Sequence, residues 1–121
     1  PHAVSYPFTA IYNISHGHAV SLTLNKFLQF NFENIKNSNC NFSLKDRYQI
    51  MFDVSKTDSI ESFDKYLFNL KKKAKLENDF IKLGIDLKKD YSKIISGVNI
   101  LRLSNNPVEL KKEDLKEIIL K

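Results

Sequence analysis

Two imidazoles near the start of the chain, His2 and His16, are the side chains best equipped for chemistry, because neutral imidazole binds divalent metals and carries protons near neutrality. If residues 1 to 20 formed one unbroken helix, the two would stand roughly 21 Å apart along its axis, beyond the span of any single metal. A turn removes the difficulty, and Tyr12-Asn13-Ile14-Ser15 supplies one, since Asn and Ser favour turns. Ser15 can cap a second helix starting near His16, and Gly17, without a Cβ, lets backbone or ligand approach. Two short helices would then converge through their histidines. His18 is expected to face solvent or to hydrogen-bond behind the ligands, outside the metal sphere. Residue type and spacing by themselves leave the commoner alternative open, a pair of ordinary surface histidines.

The elements that must position this pair read as helices throughout. From Ala19 to Phe32 the apolar positions Ala19, Val20, Leu22, Leu24, Phe27, Leu28 and Phe30 are dense enough for a central helix buried on most sides. Asn34 to Asn41 is asparagine-rich and reads as a loop. Ser43 can then cap a helix carrying Leu44, Tyr48, Met51 and Phe52, with Val54 to Thr57 ending it. Asp58 and Glu61 suit a capping box for a helix through Lys75, with Ile60, Phe63, Leu67, Leu70 and Ala74 on one face. Phe80, Ile81 and Leu83 suggest a helical stretch ended by Gly84. Asp86 opens a further helix with Leu87, Tyr91, Ile94, Ile95 and Val98. A short helix from about Lys112 to Leu120 closes the chain. No strand pair and no internal repeat is expected, so the fold class is all-α, a bundle-like single domain over residues 1–121.

A histidine, about two turns of helix, an aromatic-rich turn and a second histidine followed by glycine occur here in order as His2, Tyr12-Asn13 and His16-Gly17. This block resembles the metal-binding signature of iron-containing (group III) alcohol dehydrogenases, and the run from Ala19 to Asn31 resembles the helix that follows it. The match is specific over residues 1–35. It continues weakly to Leu103-Ser-Asn-Asn-Pro107 and Lys112-Glu-Asp-Leu115, similar to the family's closing loop and last helix. The resemblance implies the helical C-terminal domain of a larger enzyme. That enzyme would transfer hydride between NAD(H) or NADP(H) and a small aldehyde or alcohol, with Fe2+ or Zn2+ polarising the carbonyl.

It further implies that His2 and His16 are half of the ligands, an aspartate and a third histidine lying upstream of Pro1. Asn106 and Pro107 would border the cofactor cleft. The nucleotide-binding domain is expected to precede this chain, since Gly17, Gly84 and Gly97 form no phosphate-cradling run. A chain starting with Pro, whose single methionine is Met51, reads as a fragment, inactive alone and partnered by its own N-terminal domain; homo-oligomerisation stays open. Many family members carry a histidine one helical turn after the first ligand, where this chain has Tyr6. A phenol there can donate a hydrogen bond to a developing alkoxide but shuttles protons less readily than imidazole; packing beside Pro7 and Phe8 accounts for it equally well. The wording of residues 2–7 and 16–20 is most similar to the branch that includes phosphonoacetaldehyde reductases. An anionic aldehyde needs a cation, and because no Lys or Arg precedes Lys26, that cation is expected upstream.

A net charge of +5 and a pI near 9.3 suggest a rival, a nucleic-acid-binding module using Lys71-Lys-Lys-Ala-Lys75. Lysines at a helix end are equally explained by the macrodipole, and no aromatic platform accompanies them, so no nucleic-acid partner is expected. A second rival keeps the fold as a non-catalytic helical interaction domain. The lone Cys40 suits a reducing compartment, no apolar run reaches the roughly 20 residues of a membrane span, and a cytoplasmic location without membrane contact is expected.

Overall fold

The computed structural model describes residues 1–120 and is built from six α-helices with no strand among the described residues, the all-α architecture expected from the sequence. Helix α1 (His2–Tyr12) ends where Asn13 takes the left-handed conformation, φ 52°, which Asn tolerates better than other side chains bearing a Cβ. The reversal leads directly into α2 (His16–Glu33), which packs against α1 across a short turn. Ser15 occupies the N-cap position, yet its side chain makes no capping hydrogen bond.

α2 is the organising element. No residue between His18 and Phe32 is exposed, and the helix packs against α1, α4 (Ile60–Lys73) and α6 (Asp114–Leu120). One side of it meets the main core with Leu22 and Phe27, joined by Val4 and Phe8 of α1, Ile94 and Ile95 of α5 (Leu87–Ser96), and Leu115 and Ile119 of α6. The other side meets a smaller aromatic core. There Phe32 makes edge contacts with Tyr48 and Phe52 of α3 (Leu44–Ser55) at ring separations of 5.2 and 5.7 Å, and Phe52 meets Phe63 of α4 at 6.0 Å. Each such side chain taken from water stabilises the fold by roughly 1.5–3 kcal/mol, so clamping α2 from two sides fixes its position firmly. Burial also raises the Tyr48 phenol pKa, and its hydroxyl is satisfied by donating to the Leu28 carbonyl at 2.7 Å.

Helix ends explain where the sequence reading shifts. The box that starts α4 is made by Ser59 and Ser62, one residue later than the expected Asp58 and Glu61. Ser59 Oγ accepts from the Ser62 amide at 3.2 Å, and Ser62 Oγ accepts from the Ser59 amide at 3.0 Å. Asp58 contributes sideways, its carboxylate accepting from Ser62 Oγ at 2.9 Å. α4 stops at Lys73 and Lys75 has positive φ, so the helix falls short of Lys75. Phe80 to Gly84 forms turns instead of a helix: Asp79 accepts from the Ile81 amide at 2.9 Å and the Leu83 amide pairs with the Asp79 carbonyl, but Gly84 at φ 77° lets the Ile85 amide turn back to the Phe80 carbonyl at 2.8 Å and closes the stretch after one turn. Asp86 does cap α5, accepting from the Lys88 and Lys89 amides at 3.1 Å each.

The segment after α5 returns to α1. Gly97 brings the backbone so close to Pro7 that a Cβ would lie 3.2 Å from the proline ring. A 3₁₀ turn, Ile100–Asn105, then packs on α1 with Leu103 buried. Its far end is fastened to α2 by a reciprocal amide pair: Asn106 Nδ2 donates to Asn31 Oδ1 at 2.6 Å, and Asn31 Nδ2 donates to Asn106 Oδ1 at 3.1 Å. Among the described residues no helix is long and apolar enough to cross a membrane.

Two stability effects follow. Ser59→Ala removes the α4 cap and is expected to lower unfolding free energy by about 1 kcal/mol in urea melts. Asn31→Leu leaves the Asn106 side-chain carbonyl unpaired and should cost about 1–3 kcal/mol, with little of that loss recovered in the Asn31→Leu, Asn106→Leu double variant, because Asn106 also donates to the carbonyl of buried Val108.

Candidate metal centre

His2 lies in the first turn of α1 and His16 in the first turn of α2, and the Asn13 turn brings these positions, distant in sequence, side by side. Their ring centres stand 5.2 Å apart, inclined at 56°, and both residues are exposed. A metal about 2.1 Å from each ligating nitrogen sits about 3.2 Å from each ring centre, and tetrahedral ligation then sets the centres about 5 Å apart. The observed separation meets that condition.

Ser5, one helical turn beyond His2, ties the pair together. Fully buried, it donates to the His2 carbonyl at 2.8 Å, and the same oxygen lies 3.4 Å from His16 Nδ1. With the hydroxyl proton directed at the carbonyl, Ser5 Oγ accepts from His16 Nδ1–H, an assignment set by this network, and His16 Nε2 keeps its lone pair for a ligand. His18 is excluded from the cluster: its Nε2 lies 2.6 Å from the Glu77 carbonyl, anchoring the loop after α4. No third His, Cys, Asp or Glu joins His2 and His16 among the described residues.

Tyr6 stands beside the pair, its ring 5.6 Å from that of His16. The core-packing alternative for this residue is not what the fold uses, since Tyr6 is 42 % exposed while neighbouring Pro7 and Phe8 are buried. Its hydroxyl accepts a hydrogen bond from Arg102 Nη1, and the guanidinium carbon lies 4.7 Å from the ring centre. Arg102 thus brings a cation beside Tyr6 from within the chain.

Asn106 and Pro107 line the cavity that also borders His2. The Asn106 amide is engaged with Asn31 and with the Val108 carbonyl, and the Pro107 carbonyl accepts from the Asn39 amide at 3.0 Å. They therefore present backbone and shape to the cavity more than free hydrogen-bonding groups. Ser5 was legible as the residue sharing His2's helix face at a spacing of three. Arg102 carries no local signal, because its proximity to Tyr6 depends on the whole return path through α5.

The lysine run lies elsewhere. Lys71, Lys72 and Lys73 form the last turn of α4, where a helix favours cations. Lys71 turns inward, burial holding its ammonium pKa below the ordinary lysine range against the opposing pull of Asp64.

No curated protein and no solved structure matches the chain. The family model described as the C-terminal part of the Fe-containing alcohol dehydrogenase family matches residues 1–121. With the match running through every helix described above, the chain belongs to the Fe-containing alcohol dehydrogenase family and corresponds to its C-terminal region.

Proposed function

We propose that this chain supplies half of the catalytic metal sphere of a cytoplasmic, NAD(P)-dependent alcohol dehydrogenase acting on a small aldehyde or alcohol. The observation that carries the reading is the 5.2 Å separation of the His2 and His16 rings, held by a buried serine on a surface open to further ligands. Two imidazoles suit Fe2+ or Zn2+ alike, and the remaining ligands and the dinucleotide site belong to a preceding domain. When bound, the metal polarises the carbonyl oxygen so that hydride from the nicotinamide meets an electron-poor carbon.

The chain's own residues do the positioning. Ser5 holds His16 in the tautomer that offers Nε2 and anchors the first turn of α1 under His2. Arg102 donates to the Tyr6 oxygen, which leaves the Tyr6 O–H proton to be donated toward the substrate oxygen as negative charge develops there. Reduction consumes one hydride and one proton, and Tyr6, whose ring stands 5.6 Å from that of His16, is the residue beside the histidines whose hydroxyl delivers the latter. The loop at Asn106 and Pro107 borders the same cavity and meets the nicotinamide side of the cleft.

Metal analysis of the full-length enzyme tests this directly. His2→Ala and His16→Ala should each reduce bound metal to a small fraction of wild type and remove turnover, whereas His18→Ala should retain the metal. Full metal occupancy in both ligand variants would leave the helical interaction-domain reading in its place. Ser5→Ala is expected to weaken metal affinity by about 10-fold while leaving the helical circular dichroism intact. The 121-residue chain by itself should oxidise no alcohol with either dinucleotide, and measurable turnover by it would refute the shared-sphere arrangement.

A further inference from the structure

A cavity of about 480 Å³ lies between α2, α4 and α6 and shares no lining residue with the one that borders His2. Two lysines line it, Lys26 of α2 and Lys71 of α4. Neither is exposed, whereas Lys72 and Lys73, next to Lys71 in the chain, both are. The two inward lysines are held differently. Lys26 Nζ donates to the Ile119 carbonyl at 2.8 Å and lies 5.3 Å from the centre of the Phe80 ring, contacts that favour its charged form. The Lys71 ammonium makes no hydrogen bond and no ion pair among the described residues. Asp64, whose charge pulls on it, is engaged by Asn25 Nδ2 at 2.6 Å. An amine kept from water and set near a fixed cation loses its proton more readily and becomes a nucleophile. Burial and, to a smaller degree, the charge of Lys26 act on Lys71 in that direction, against Asp64.

We propose that Lys71 is a nucleophilic amine activated by its neighbour Lys26, and that this cavity takes small neutral aldehydes or ketones by condensing them onto Lys71 as an imine. The amine lone pair adds to the carbonyl carbon and a proton passes from nitrogen to oxygen. The resulting carbinolamine then loses water to leave a C=N bond, so no oxidant or reductant is consumed. The wall selects the carbonyl compound. Leu22, Phe30, Phe80 and Ile118 suit an apolar body, and the carboxylates of Glu33, Asp64 and Glu117 on the same wall oppose an anionic one. No metal or dinucleotide takes part, so the inference stands or falls separately from the oxidoreductase reading.

Reductive trapping on the full-length enzyme tests it. The enzyme is incubated without dinucleotide at pH 7 with cyanoborohydride and either butanal or glyoxylate, and labelling rates at single lysines are read by tandem mass spectrometry. Cyanoborohydride adds hydride to the imine and fixes it as a secondary amine. Butanal should label Lys71 several-fold faster than Lys72 and Lys73, and unfolding in urea should bring the three to one rate. Glyoxylate, an anion, should give Lys71 no such lead. Lys26→Gln should slow butanal labelling of Lys71 toward the rate of its neighbours, whereas Lys26→Arg, which keeps the cation, should retain most of it. Equal rates at the three lysines in the folded enzyme overturn the inference. A lead of Lys71 that persists in urea also overturns it, since the cause then lies in the local sequence and not in the cavity. The same lead with glyoxylate overturns the selection for neutral compounds, and a rate untouched by Lys26→Gln overturns activation by Lys26.

Discussion

Everything in this fold is hung on α2, because a helix with no exposed residue between His18 and Phe32 must be at least partly covered along its length by the rest of the chain. α1 covers one side, α6 another, and α3 and α4 close the aromatic side through Phe32 and its ring neighbours. Such a helix cannot slide or rotate without uncovering apolar surface or opening voids in two cores at once. Its first turn, held in that grip, is where His16 sits. The end that carries His16 therefore inherits its rigidity from packing that lies one to four turns away.

The same constraint explains why a polar pair is tolerated inside. Asn31 lies on the buried stripe of α2, where an apolar residue would serve packing better. It is acceptable because Asn106 satisfies it, and the reciprocal bonds fix where the segment after the 3₁₀ turn crosses α2. Gly97 acts at the other end of that segment by allowing contact with Pro7. Between these two fixed points the chain has little freedom, and Arg102 is delivered to Tyr6 as a result.

Local chemistry was readable in the sequence and long-range chemistry was not. The turn at Asn13, the Ser43 and Asp86 caps and the central helix all depend on neighbours within a few residues, and each could be read from side-chain type and spacing. The α4 start shifted by one residue because Ser59 and Ser62 bind each other's amides and Ser62 Oγ also takes the Asp58 amide that Glu61 would have needed, a choice that side-chain type leaves nearly degenerate. At Phe80 to Gly84 apolar spacing suggested helix, yet Gly84 at φ 77° and the return of the Ile85 amide to the Phe80 carbonyl close the stretch after a single turn. For the site, the His2, Tyr6 and His16 grouping lies within one helical hairpin and could be anticipated, whereas Arg102 arrives across a sequence separation that no periodicity spans.

The Asn13 turn has a consequence for how such a chain can change over time. Because α2 begins so soon after it, adding or losing a single residue between Asn13 and Ser15 would turn the start of α2 by about 100° relative to its own side chains. Either His16 would leave its place beside His2, or the buried stripe from Ala19 to Asn31 would face away from both cores. Substitutions can accumulate on the outer surfaces of α3 and α4 at small cost, but length variation in this hairpin is closed to the chain. Its loop length is as much a determinant of how His2 and His16 face each other as the residue types themselves.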